Sequence, residues 1–290
     1  MLIKAAFHLL ALLPLRALHA LGAGLGWLLW VIHDKRRAVA LKNLEICLPE
    51  LSPQARVQMA RAALKHEMKS ILETPFFWLG GTPQSLLASE VEVIGGDLVT
   101  QARARGKGTI LCTLHLGGWE MCGHAYASRW PISGIYKPQG GAVEALGLRG
   151  RSRTGAKLIP AVGGKVGAAA LKLLANNEAL YFMPDQDPPE GRGFFAPLFG
   201  TLAHTPTLVS KLAQKTGAAV IFAYCVRLPQ GGGFITHYEE ASPEIYSEDL
   251  LTSVTALNAG IERCLRQCPE QYWWGYRRFR RRPPGETPIY

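Results

Sequence analysis

His115 and Glu120 lie five residues apart in "TILCTLHLGGWEM" (109–121), with Gly117 and Gly118 between them. A histidine with a carboxylate in reach suits general-base work. The carboxylate fixes the tautomer and stabilises the imidazolium that forms. Such a pair has no nucleophile of its own and would activate a hydroxyl supplied by a substrate. A buried histidine beside a helix-capping glutamate reads equally well from the spacing. Five residues of helix turn about 500° and leave the two side chains about 140° apart, and an odd spacing on a strand puts them on opposite faces. The pair can meet only where the chain changes direction, which two glycines permit. The pattern predicts a buried strand ending near Leu114, a turn carrying His115 and a helix starting near Trp119.

Other residues could contribute. "GLRGRSRTGAKLI" (147–159) sets Arg149, Arg151 and Arg153 at alternate positions. Arginine forks match phosphate and carboxylate, although a solvated basic face gives the same pattern. "MPDQDPPEGRGFFAPLFG" (183–200) brings Asp185 and Asp187 just after an apolar run, where they could bind a metal, orient an arginine or cap a turn. Cys112, Cys122, His115 and His124 match no regular zinc spacing, and "AVGGKVG" (161–167) lacks the first glycine and the Ser/Thr of a P-loop. No metal or cofactor is expected. "PEQYWWGYRRFRRRPPGE" (269–286) mixes aromatics with arginines, which suits single-stranded nucleic acid or a membrane interface.

The positioning elements are legible in hydropathy and punctuation. Apolar runs at 109–114, 132–136, 179–183 and 218–226 read as strands, and helical patterns at about 119–129, 165–175, 205–216 and 247–267 alternate with them. That alternation predicts an α/β fold: a mainly parallel central sheet covered by helices, with ligands beyond the carboxyl ends of its strands. Helices are also expected within 36–51, stopping at Pro49, and from Pro53, capped by Ser52, to Pro75. Residues 5–32 contain no acid and one permanent charge, Arg16, and predict an N-terminal membrane-anchoring helix. That helix could span the bilayer, lie in its interface because of Pro14 and Arg16, or be a buried core helix. Its 28 residues and the basic "HDKRR" (33–37) behind it argue against a cleaved signal peptide, and that basic run favours a cytoplasmic position for the rest of the chain. Residues 1–32 and 33–290 are thus expected as anchor and catalytic domain. The net charge of +10 points to an anionic partner. The six cysteines form no paired framework and read as reduced thiols. The apolar N-terminal run tips the basic tail toward membrane rather than nucleic acid.

Four blocks in order, the N-terminal segment with "RRAVALKNLEICLPE", then "HLGGWE", "PDQDPPEGRGFFAPLFGTLAHTP" and "PEQYWWGYRRFRRRP", resemble the late acyltransferases of lipid A biosynthesis. These fall within the wider lysophospholipid acyltransferase-like group. The resemblance implies an enzyme of the cell inner membrane, active on its cytoplasmic side. It would move an acyl chain from acyl carrier protein to a hydroxyl of a lipid A precursor. It also implies that His115 and Glu120 are the catalytic pair, that Arg151 and Arg153 lie near donor or acceptor phosphates, and that Asp185, with Asp187, belongs to the family's aspartate block. Gly275-Tyr276 stands where that family commonly has a histidine, which bears on acceptor identity. Relatives acting on ornithine lipids or phosphoinositol mannosides share the same core. A membrane-tethered binding protein would need neither His115 nor Glu120.

Overall fold

A computed structural model describes the chain except for Met1, Lys137, Gln139, Ala161 and residues 163–165; most of the glycine-bearing run at 161–167 therefore lies outside the described residues. A seven-stranded sheet forms the centre. Its strands are β1 (Glu90–Ile94), β2 (Thr109–Gly117), β3 (Ile132–Tyr136), β4 (Lys157–Pro160), β5 (Ala179–Phe182), β8 (Ala219–Arg227) and β9 (Phe234–Glu240), in the order β1-β9-β8-β2-β5-β3-β4. Every pairing is parallel except β8–β9. The expected mixed α/β fold with a mostly parallel sheet is what forms. A separate antiparallel hairpin, β6 (Gly193–Leu198) with β7 (Thr201–Pro206), comes after β5.

The two central strands explain the layering. Along β2, Ile110, Cys112, Leu114 and Leu116 enter one core and Leu111 the other. Along β8, Val220, Phe222 and Tyr224 face the first core while Ala219, Ile221, Ala223 and Cys225 face the second. Strands apolar on both faces must be covered on both faces. The covering helices are α3 (Lys35–Cys47), α4 (Pro53–Leu79), α6 (Gly96–Ala104), α7 (Trp119–Ala127), α8 (Gly141–Arg151), α9 (Val166–Ala175), α10 (Leu208–Thr216) and α11 (Leu250–Gln267), with the short α5 (Pro83–Leu87) between α4 and β1.

Helix α4 runs through Pro75 to Leu79 instead of stopping there. An internal proline costs a helix about 3 kcal/mol. Here the last turn is held by packing, because Phe77 and Trp78 are buried in the second core. The N-terminal segment forms two helices, α1 (Leu2–Ala11) and α2 (Leu15–Val31), broken at Pro14. Helix α2 lies against α4 backbone to backbone: a Cβ at Gly22 would stand 2.6 Å from the Lys69 Cα, and one at Gly26 2.4 Å from the Lys65 Cα. Its other side stays bare, with Leu21, Leu25, Trp27, Leu28 and Val31 exposed. No single helix among the described residues is long and apolar enough to cross a membrane. All six cysteines are buried and free.

Candidate active site

The strand carrying His115 runs on to Gly117, three residues beyond the expected end, because Gly117 still pairs with Cys225 of β8. The reversal falls at Gly117–Gly118. Gly117 has φ +58°, and a Cβ there would meet the Cys225 carbonyl oxygen at 1.9 Å. Only glycine fits. Helix α7 starts at Trp119, where the spacing predicts it.

His115 and Glu120 open on one cavity but are not bonded to each other; each has its own partner. The His115 Nδ1 lies 3.1 and 3.2 Å from the two carboxylate oxygens of Asp185, and the His115 backbone N–H donates to Asp185 Oδ2 at 3.0 Å. Register explains the meeting. Strands β2 and β5 are parallel neighbours with Cys112 opposite Phe182, so the residues three places on, His115 and Asp185, leave the sheet side by side. Burial would raise the Asp185 carboxyl, but the His115 ring and backbone hold it below the ordinary range. The ring is flanked by Trp273, stacked at 5.3 Å and 6°, and by Trp119 at 5.4 Å. Trp273 also donates its backbone N–H to the His115 carbonyl. The aromatic tail therefore roofs the histidine.

Glu120, in the first turn of α7, receives a forked pair of bonds from Arg151, in the last turn of α8. The Arg151 Nε is 3.1 Å from both carboxylate oxygens and Nη2 is 2.6 Å from Oε1. An acid at a helix start and a base at a helix end each also suit the helix dipoles. Burial opposes charge on Glu120, yet Arg151 keeps its carboxyl below the usual range. The Arg151 guanidinium also lies 5.0 Å from the Trp78 ring centroid. Arg151 as the partner of Glu120 is not deducible from spacing, since 31 residues separate the pair.

The remaining expected site residues lie elsewhere. Arg153 donates to the carbonyls of Phe77, Gly80 and Gly81 and closes the end of α4. Asp187 is bound by His204 Nδ1 at 2.7 Å and by Arg280 and Arg281, which ties the C-terminal arginines to the β5–β6 loop. Among the described residues no group of three or more His, Cys, Asp or Glu side chains could hold a metal ion.

The cavity opens beyond the carboxyl ends of β2, β3 and β5, where a parallel sheet is expected to hold its ligand. It measures about 490 Å³. His115, Trp119, Glu120 and Arg151 supply its polar end; Ile132, Ile135, Leu148, Leu158, Phe182 and Met183 supply apolar wall. A mostly apolar cavity with a few converging polar groups is the usual form of a small-molecule site. The walls come from β3, β4, β5, α7 and α8.

Residues 1–281 match the family described as bacterial lipid A biosynthesis acyltransferase. The chain is 30% identical over 282 residues to a lipid A biosynthesis lauroyltransferase of Escherichia coli K12, covering 96% of this chain and 90% of that one. It is 30% identical over 285 residues to that organism's lipid A biosynthesis palmitoleoyltransferase, with the same coverage. A phosphatidylinositol mannoside acyltransferase of Mycobacterium tuberculosis is 29% identical over 149 residues, 49% of this chain and 46% of that one. With a match that spans nearly its whole length, the chain belongs to the bacterial lipid A biosynthesis acyltransferase family.

Proposed function

We propose that the protein transfers a fatty acyl chain from the thioester of acyl carrier protein to a hydroxyl of a lipid A precursor. His115 acts as general base. The carrying observation is the Asp185–His115 contact at the polar end of an apolar cavity. Asp185 occupies Nδ1, so Nε2 is the nitrogen left to take the acceptor's proton as its oxygen attacks the thioester carbonyl. The C–S bond of the tetrahedral intermediate then breaks, and His115 returns the proton to the leaving thiolate. Arg151, fixed by Glu120, supplies positive charge where the oxyanion develops. Glu120 is thus a positioning residue for Arg151, while Asp185 orients the base. No metal, cofactor or acyl-enzyme is needed for these steps.

The bare faces of α1 and α2 support a seat in the cell inner membrane, lying in its interface on the cytoplasmic side. The inner face of α2 is already used against α4, while Ile3, Leu9, Leu12, Leu21, Leu25 and Trp27 remain exposed. Residues 1–32 are therefore read as a membrane-anchoring pair of helices continuous with the acyltransferase domain 33–290.

Purified protein, acyl carrier protein loaded with a saturated chain and a lipid A precursor in micelles test the reading, with product followed by mass spectrometry. The precursor gains one acyl ester with wild type and none with His115→Ala. Transfer by His115→Ala at wild-type rate, or no transfer by wild type with any acyl length, overturns it.

A further inference from the structure

Behind the His115 turn lies a buried charge cluster, none of whose members lines the cavity. Arg227, the last residue of β8, uses its whole guanidinium. Nε and Nη2 bind the two carboxylate oxygens of Glu73, Nη2 donates to Ser70 Oγ at 2.7 Å, and Nη1 donates to His66 Nδ1 at 3.0 Å. Nη2 also donates to the carbonyl oxygen of Gly117 at 3.0 Å, beside a second bond to that oxygen from Ser70 Oγ at 3.1 Å. His66 is uncharged, its imidazole pushed by burial and by Arg227 down to about 2. Glu73 would be raised by burial but is held ionised by Arg227.

The same arginine reaches the other side of the turn. Its backbone N–H and carbonyl are both bonded by the Gln271 side chain. Gln271 leads into Tyr272, which bridges Leu116, and into Trp273, which stacks on His115. The cluster closes on the N-terminal segment, where His19 of α2, itself buried, donates from Nε2 to Glu73 Oε1 at 2.5 Å. A buried ion pair is a weak source of stability, since apolar residues of similar volume serve as well. What this one does that an apolar pair could not is hold the Gly117 carbonyl, and with it the peptide plane two residues from the base.

We propose that Arg227 and Glu73 are positioning residues for His115, and that His19 makes helix α2 part of the active-site scaffold as well as of the membrane seat. The proposal rests on His115 being the base. With His19 removed, Glu73 loses one of the donors on Oε1 and its hold on Arg227 loosens. The Gly117 carbonyl then drifts, and the base loses its alignment with the reacting atoms.

The test compares full-length His19→Leu and His19→Gln in micelles, with acyl carrier protein donor and lipid A precursor, alongside binding to phospholipid vesicles. His19→Leu is expected to lower kcat about tenfold, a misalignment effect, with KM for both substrates and vesicle binding within about twofold of wild type. His19→Gln, whose amide can donate to Glu73, is expected to recover kcat to within about threefold. Wild-type kcat in His19→Leu, no recovery in His19→Gln, or a loss that tracks vesicle binding overturns the proposal. Should His19→Leu fail to fold, Ser70→Ala decides: it removes one donor from the Gly117 carbonyl and is expected to lower kcat with KM unchanged, and unchanged kcat refutes the clamp. Absence of transfer by wild type would be failure of the proposed function instead.

Discussion

Asp185→Asn separates orientation of the base from every other task at the site. Asp185 is fully buried and accepts from His115 twice, at Nδ1 and at the backbone N–H. Asparagine keeps the size and one acceptor for the backbone bond but turns an NH₂ group toward Nδ1. The ring must then carry its proton on Nε2, the nitrogen that has to accept one. The ring itself does not move away, because Trp273 and Trp119 hold it on two sides. The lesion is therefore one of tautomer and of lost imidazolium stabilisation. In a serine-protease triad the matching substitution costs about 10⁴-fold in kcat. A loss of about 10³–10⁴-fold is expected here, or about 4–5.5 kcal/mol at ~1.36 kcal/mol per decade. KM for donor and acceptor should stay within about twofold, since neither substrate's binding surface changes. Steady-state transfer in micelles, with both substrates varied, measures this, and melting temperature confirms folding. Glu120→Gln in the same assay should lose less, because Glu120 acts on Arg151. A kcat within tenfold of wild type in Asp185→Asn, or a more severe loss in Glu120→Gln, refutes the assignment of Asp185 as the orienting carboxylate.

The same geometry sets other outcomes. Glu67 is buried, and desolvation raises its carboxyl to about 7 despite Arg36 nearby. A carboxyl raised on folding contributes most below its unfolded value of about 4.5 and loses that contribution as pH climbs to about 7, so Glu67→Gln should stabilise at pH 8 by the order of 2 kcal/mol and little at pH 4, read by urea melts. Gly134 of β3 lines the cavity, and a Cβ there would stand 3.3 Å from a Leu158 methyl; Gly134→Leu should shift preference to shorter acyl chains in a competition of mixed chain lengths, and an unchanged product distribution would deny that the cavity holds the chain. The chain's +10 charge should draw an acidic carrier protein, so raising salt should raise KM for acyl carrier protein more than it lowers kcat; equal or better use of acyl-coenzyme A, with no salt effect, would exclude the carrier as donor.

What the sequence discloses is set by range. The runs at 132–136 and 179–183 become β3 and β5 almost residue for residue, because each is a short uncharged stretch whose first residues are buried. Strands β1, β4 and β9 carry no such signal. Glu92 and Lys157 interrupt two of them, and they lie at or near the sheet edge where one face is wet. The single helix expected at the N-terminus is two, because Pro14 separates them. At the site, His115 and Glu120 are visible as a pair in the sequence and are instead two halves of two pairs. Local spacing exposes only partners on one turn, whereas Asp185 and Arg151 reach their places through sheet register and a helix end. A signal does exist for Asp185: two apolar runs, each trailed at the same offset by a polar residue, place those residues abreast if the runs are parallel neighbours.

Both ends of the chain read as membrane contacts in the sequence, yet both also build the same turn. From the N-terminal side, α2 reaches the Gly117 carbonyl through His19, Glu73 and Arg227. From the C-terminal side, Gln271, Tyr272 and Trp273 reach Arg227, Leu116 and His115. A glycine-rich reversal is by itself a soft element, since glycine constrains the backbone least, and a base must be held to within a fraction of an ångström of its working position. Rigidity has to come from outside the turn. Here it comes from segments about 250 residues apart in sequence, as His19 and Gln271 mark, so the alignment of the His115 turn depends on contacts from both ends of the chain.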